Sequence, residues 1–168
     1  MSAPEFSRMI DVRQCDGQQV TLVASEEERA ALAARFELVR VDRLEADFAL
    51  TRTDRAVEAT GLMRADWVQT CAISSEDLPQ TAEEEVALRF VPASEAHSTS
   101  DPEEEIELSA EELDEIAYEG TRFDLGEALA QSLGLAIDPY AAGPEAEAAR
   151  AKLGGESSNP FAALKDRL

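Results

Sequence analysis

The side chains that most enzymes use for nucleophilic and metal chemistry are scarce in this 168-residue chain. His97 is the single histidine, and it lies in AHSTSDP, a polar stretch without apolar groups to hold it in place. Ser98 or Ser100 beside it is a nominal nucleophile, with His97 as the base. Catalysis needs such groups fixed within hydrogen-bond reach, and this stretch offers no scaffold. Cys15 and Cys71 are the two cysteines, too few for a disulfide framework. The usual Cys and His ligands of zinc are nearly absent. Carboxylates are abundant, and a Mg²⁺-dependent hydrolase or nuclease would use them. They concentrate in a segment expected to be mobile, which cannot hold a two-metal geometry. No catalytic residue, metal ligand or cofactor is therefore expected.

What remains is charge. The chain carries 36 Asp and Glu against 15 Lys and Arg, a net of −21. Such a field repels phosphate backbones and anionic membranes at long range and attracts basic proteins. Between Arg89 and Arg122 stand 11 acidic residues with no Lys or Arg among them. Glu103, Glu104, Glu105, Glu107, Glu111, Glu112, Asp114 and Glu115 are the candidate docking surface for a basic partner. A solvated loop that aids solubility is the plainer alternative.

Arginine gives direct RNA contact its foothold. The chain has 13 Arg and 2 Lys. Arg8, Arg13, Arg40, Arg43, Arg52 and Arg64 would contact phosphates if strand alternation gathered them on one sheet face. Pairing with neighbouring carboxylates is the simpler expectation.

These groups must be positioned by elements that the sequence outlines. At 44% hydrophobic residues and 18.2 kDa, the chain can form one core with a tail. Phe6, Arg8, Ile10 and Val12 share one face of a first strand, and Val20 and Leu22 mark a second after the turn residues Asp16-Gly17. Ser25 and Glu28 form a capping box that opens a helix, with Leu32 and Phe36 facing the core. Three longer strands follow: one through Leu44, Ala46, Phe48 and Leu50, one through Val57, Ala59, Met63, Ala65 and Trp67, one through Val86, Leu88 and Phe90. Their alternation with polar residues suits an antiparallel sheet with one dry face. A hairpin turn is expected around Thr53-Asp54.

Ala93–Glu105 is too polar and Pro-containing to offset the entropy of ordering, and reads as a loop. Glu115–Tyr118 fits a short strand, while Ser109 and Glu112 fit a helix cap. Asp124 and Glu127 then cap a helix whose stripe of Leu125, Ala128, Leu129, Ser132, Leu133 and Ala136 is either core or a binding face. Pro139 ends it. A Gly-, Pro- and Ala-rich linker leads to a weak helix near Glu145–Leu153. Beyond GGESSNP, a short terminal helix would present Pro160, Phe161 and Leu164, either docked back on the domain or offered to a partner.

The segments RFDLGEALAQSLGLAIDP and NPFAALKDRL, in this order after a sheet-forming half and an acidic loop, resemble the YceD family. The resemblance runs from SRMIDV through VQTCAIS to the terminal NPFAALK. Its marks are Asp124, Leu125, Gly126 and Glu127 at the helix entry, Pro139 at the exit, and Asn159-Pro160-Phe161-Ala162. The family is implicated in accumulation of large-subunit ribosomal RNA. The resemblance thus implies a role in large-subunit biogenesis, with a basic ribosomal protein, an assembly intermediate or precursor ribosomal RNA as partner. Many members carry Cys-x-x-Cys where this chain has Cys71 and Ser74. A hydroxyl is a poor soft-metal ligand, so a packed cysteine is the expectation here.

The expected architecture is α+β: a mainly antiparallel twisted sheet, open or curled toward a barrel, with two main helices. One domain spans residues 1–140, including a mobile acidic loop at about 93–112. Residues 141–168 form a flexible extension. The expected function is non-enzymatic. No apolar run is long enough to span a membrane, and the N-terminus lacks an export-signal pattern, so a cytoplasmic location without membrane contact is expected.

Overall fold

The computed structural model describes residues 4–96 and 114–143, together with Ala148 and Ala151. Its frame is a sheet built on three long strands, β3 (Arg40–Thr53), β4 (Ala56–Thr70) and β5 (Asp77–Pro92). The alternation of apolar and polar residues dictates their faces. Leu44, Ala46, Phe48 and Leu50 of β3 are buried with Val57, Ala59, Met63, Ala65 and Trp67 of β4, while Asp47 and Thr60 between them are exposed. The β3–β4 hairpin turns at Asp54, whose φ of 57° is a left-handed conformation that Asp tolerates. β2 (Gln19–Val23) pairs antiparallel with β3 at one edge. At the other edge β6 (Asp114–Tyr118) pairs with β5 in parallel, giving the order β2-β3-β4-β5-β6. The sheet is open. It does not curl into a barrel, because β2 and β6 are separated by three intervening strands and do not pair with each other.

A second, two-stranded sheet joins β1 (Met9–Asp11) to β7 (Arg122–Asp124), antiparallel. This changes the expected N-terminal strand. Only three of its residues are extended, and their partner lies far along the chain instead of in the adjacent strand. On the N-terminal side of β1, the Arg8 N–H donates to Asp124 Oδ1 at 2.8 Å, and the Leu125 N–H donates to the Arg8 carbonyl at 3.0 Å.

Two helices cover the dry face. In α1 (Glu26–Arg35) the capping box forms as its residues predict: Ser25 Oγ accepts the Glu28 N–H, and Glu28 Oε2 accepts the Ser25 N–H at 2.8 Å. Leu32 and Ala33 face inward. In α3 (Leu125–Ala136) the capping residue is Asp124, and Leu125, Ala128, Leu129, Ala130 and Leu133 are buried, so its stripe is core. Phe90 of β5 stacks on Phe123 of β7 at a centroid separation of 4.3 Å, which joins the two sheets. A one-turn helix, α2 (Ala93–Ala96), continues from β5, so the polar segment begins with a helical turn instead of loop. Residues 97–113 lie outside the described residues, as do the predicted cap at Ser109 and the terminal helix carrying Pro160, Phe161 and Leu164. Among the described residues, no helix is long and apolar enough to cross a membrane.

Candidate functional site

The wet face of the large sheet gathers charge that is scattered in sequence. Register aligns Glu45 with Arg64, Asp47 with Leu62, Arg43 with Asp66, Arg64 with Glu83, Leu62 with Glu85, and Glu58 with Arg89. Because directly opposed residues share a face, Glu45, Asp47, Glu58, Asp66, Glu83 and Glu85 form one field. Glu115 extends it from β6, opposite Arg89.

The arginines within this field are engaged by it. Arg64 stands centrally, 3.2 Å from Glu83, 3.8 Å from Asp47 and 3.9 Å from Glu45. Arg43 bonds Glu45 and lies 4.0 Å from Asp66. Arg89 lies 3.8 Å from Glu115. Carboxylates outnumber arginines here, so the face keeps a negative surplus after pairing. Exposed pairs of this kind contribute about 0–1 kcal/mol each, so the arginines organise the face more than they stabilise it.

The expected arginine cluster does not form. Arg8 is bidentate to Glu28, at 2.7 and 3.0 Å, on the helical side of the fold. Arg13 pairs with Asp11 at 2.8 Å and Arg40 with Asp42 at 2.9 Å. Arg52 donates to the Asp54 carbonyl at 2.7 Å. Of the six, Arg43 and Arg64 stand within the wet-face field, and both are held by carboxylates. Side-chain pairing within two residues, or across one strand, competes successfully with any assembly over longer distances.

Of the predicted acidic residues, Glu115 is exposed on β6 and Asp114 begins that strand. Glu103, Glu104, Glu105, Glu107, Glu111 and Glu112 lie outside the described residues. The sheet carboxylates were not singled out from sequence. Alternation with Leu44, Ala46 and Phe48 already assigns Glu45 and Asp47 to a wet face, but their convergence with Glu83 and Glu85 depends on strand register.

The motif residues at the entry to α3 form a clasp. Asp124 Oδ1 accepts the Glu127 N–H at 3.0 Å as a helix cap, and Asp124 Oδ2 accepts the Ser7 hydroxyl at 2.6 Å. Gly126 packs against the same segment: a Cβ there would stand 2.7 Å from the Arg8 nitrogen. Glu127 is bidentate to Arg35 of α1, at 3.0 and 2.9 Å. Leu125 is buried, and Pro139 follows the end of the helix.

Cys71 follows β4 and begins a turn in which Ser75 has φ 61°. Its sulfur accepts the N–H groups of Ser74 at 3.5 Å and Gly143 at 3.4 Å. Hydrogen bonding by the Ser74 side chain, aided by these backbone donors, pulls the thiol down to about 6. Neighbouring Gln69 is buried, accepting Trp67 Nε1–H at 2.9 Å and donating to the Asp138 carbonyl at 2.7 Å. Together these contacts hold residues 138–143 against the end of β4. With Ser74 at the second position and backbone amides on Cys71, this donor set does not fit a soft-metal site. Among the described residues, no group of three His, Cys, Asp or Glu side chains is arranged to hold a metal.

A family model described as Large ribosomal RNA subunit accumulation protein YceD matches residues 59–166. The match begins within β4 and includes Asp124, Gly126 and Glu127 of the clasp, Cys71, the acidic segment and the C-terminal extension, while Ser7, Arg8 and Arg35 precede it. Searches of curated proteins and of solved structures gave no match.

Proposed function

The chain belongs to the YceD family, and on that premise we propose that it supports large-subunit biogenesis and accumulation of large-subunit ribosomal RNA by binding, without catalysis, a basic ribosomal protein or an assembly intermediate. The observation that carries this reading is the wet sheet face, where carboxylates outnumber the arginines they hold. Ribosomal proteins are basic because they bind RNA, so a carboxylate field attracts them and raises their association rate. The segment of Glu103, Glu104, Glu105, Glu107, Glu111 and Glu112 adds charge of the same sign. Direct gripping of RNA phosphates would need cations that carboxylates do not already hold, and the six candidate arginines bond to acidic side chains or to a backbone carbonyl.

The test is crosslinked affinity purification from cells, with protein and RNA read from one sample. Large-subunit proteins are expected with the unaltered chain, and reduced recovery with Glu45→Gln/Asp47→Asn/Glu58→Gln. Recovery of precursor RNA that is insensitive to these changes, yet lost with Arg43→Ala/Arg64→Ala, would replace this reading with RNA binding.

A further inference from the structure

The strands β5 and β6 differ greatly in length, so among the described residues one edge of β5 is paired over only part of its length. β4 pairs with β5 along its whole length, from Thr70 opposite Asp77 to Val57 opposite Phe90. On its other side β5 is paired by β6 only from Leu88 to Pro92. Among the described residues, nothing pairs with Asp77–Ala87 on that side.

The hydrogen-bond phase of this edge follows from its hairpin. The Cys71 N–H donates to the Glu76 carbonyl at 2.8 Å, which makes these two a hydrogen-bonded pair. Antiparallel ladders alternate hydrogen-bonded with non-hydrogen-bonded pairs. The unbroken register therefore turns the backbone groups of Leu78, Gln80, Ala82, Glu84 and Val86 toward β4. Those of Thr81, Glu83, Glu85 and Ala87 turn outward. Pro79 agrees with this phase, since its missing N–H falls on the open side, where proline is tolerated. Thr81 agrees as well: its hydroxyl reaches Asp66 at 2.8 Å across a non-hydrogen-bonded pair, where side chains stand closer.

Glu83, Glu84 and Glu85 are consecutive and exposed on this edge. Alternation sends Glu83 and Glu85 to one face and Glu84 to the other, so an added strand meets carboxylates on both sides. A second copy of this edge would bring like charges together, which disfavours self-pairing. We propose that the open edge of β5 is a strand-addition site for a Lys- and Arg-rich extended segment of a protein partner. Outward backbone groups would supply affinity, and the glutamates would select for positive charge. This rests on the partner reading above and adds a mode of binding to it.

The purified full chain is titrated at physiological salt with a synthetic Lys-Val repeat peptide, and with a Lys-Pro repeat of equal charge that cannot form a strand. The Lys-Val peptide is expected to slow amide exchange at Thr81, Glu83, Glu85 and Ala87, and the Lys-Pro peptide to leave it unchanged. Glu85→Pro removes one outward donor and is expected to weaken Lys-Val binding by about tenfold. Thr81→Pro tests the same edge at a second position. Unprotected edge amides at saturation, or equal binding of both peptides, would overturn the strand site. The affinity purification separates the two ideas. Equal recovery of large-subunit proteins by the unaltered and Glu85→Pro chains removes the strand site alone, while no recovery by the unaltered chain removes the partner reading and the strand site with it.

Discussion

Asp124 accepts the Ser7 hydroxyl at 2.6 Å across 117 positions of sequence. The same carboxylate takes the Arg8 N–H and caps α3, so one side chain joins the beginning of the domain to its last helix. Gly126 lets the two segments approach, and Glu127 ties the joint to α1 through Arg35.

Asp124→Ala removes the cap and leaves the Arg8 N–H and Ser7 hydroxyl without their acceptor. A loss of about 2–4 kcal/mol is expected in urea denaturation. Asp124→Asn keeps a capping oxygen and should lose clearly less. Equal losses in the two variants would mean that the oxygen is not what holds the joint.

Gly126→Ala tests the approach itself. Its new methyl would press on backbone at Arg8 and Ser7, which cannot rotate away as a side chain would. Overpacking of this kind costs about 1–3 kcal/mol. Gly17→Ala is a poor control because its φ of 72° adds strain of its own. The difference between Gln131→Ala and Gln131→Gly, at an exposed position of the same helix, separates helix propensity from collision.

Glu28 joins the α1 cap to Arg8, and hydrogen bonds from that guanidinium bring its carboxyl down to about 2. A carboxylate depressed on folding stabilises the protein above its ordinary value of 4.5, and this contribution is lost as pH falls from 4.5 toward 2. The stability gap between the unaltered chain and Glu28→Gln should therefore be full at neutral pH and close across that interval. Urea midpoints measured over the range check it. A gap independent of pH would show that the ion pair is not responsible.

The two thiols should titrate apart. Cys71 is lowered to about 6 by the Ser74 side chain and backbone N–H donors, whereas burial raises Cys15 above its ordinary 9.0. Ultraviolet thiolate absorbance is expected to rise first near pH 6, and this step should vanish in Cys71→Ser. The thiolate's contribution to stability is full above pH 9 and is lost as pH falls through 6. If the first step survives in Cys71→Ser, the amides of Ser74 and Gly143 do not hold a thiolate.

Local chemistry made much of the fold legible. The Ser25/Glu28 box and the Asp124 cap are set by residues three apart, and the alternation in β3 and β4 predicts which side chains are buried. The hairpin at Asp54 follows from one short polar turn. The pairing of β1 with β7 was not legible, since strands of three residues carry no period and their partners are far apart. Nor was the parallel placement of β6, because composition says nothing about strand direction. The wet-face field lies between these cases. Each carboxylate's face can be read from its own strand, but which ones meet is decided by register across three strands.

The clasp also orders events in time. A nascent chain leaves the ribosome N-terminus first, so Ser7 and Arg8 are exposed well before Asp124 is synthesised. β3 and β4 are joined by a short turn and can pair early, whereas β1 must wait for β7. Loop-closure entropy makes such distant contacts the slow ones. During that interval Phe6, buried in the finished domain, has no permanent cover. The small sheet therefore cannot form until residues 122–124 have been synthesised, long after the β3–β4 hairpin is complete in sequence.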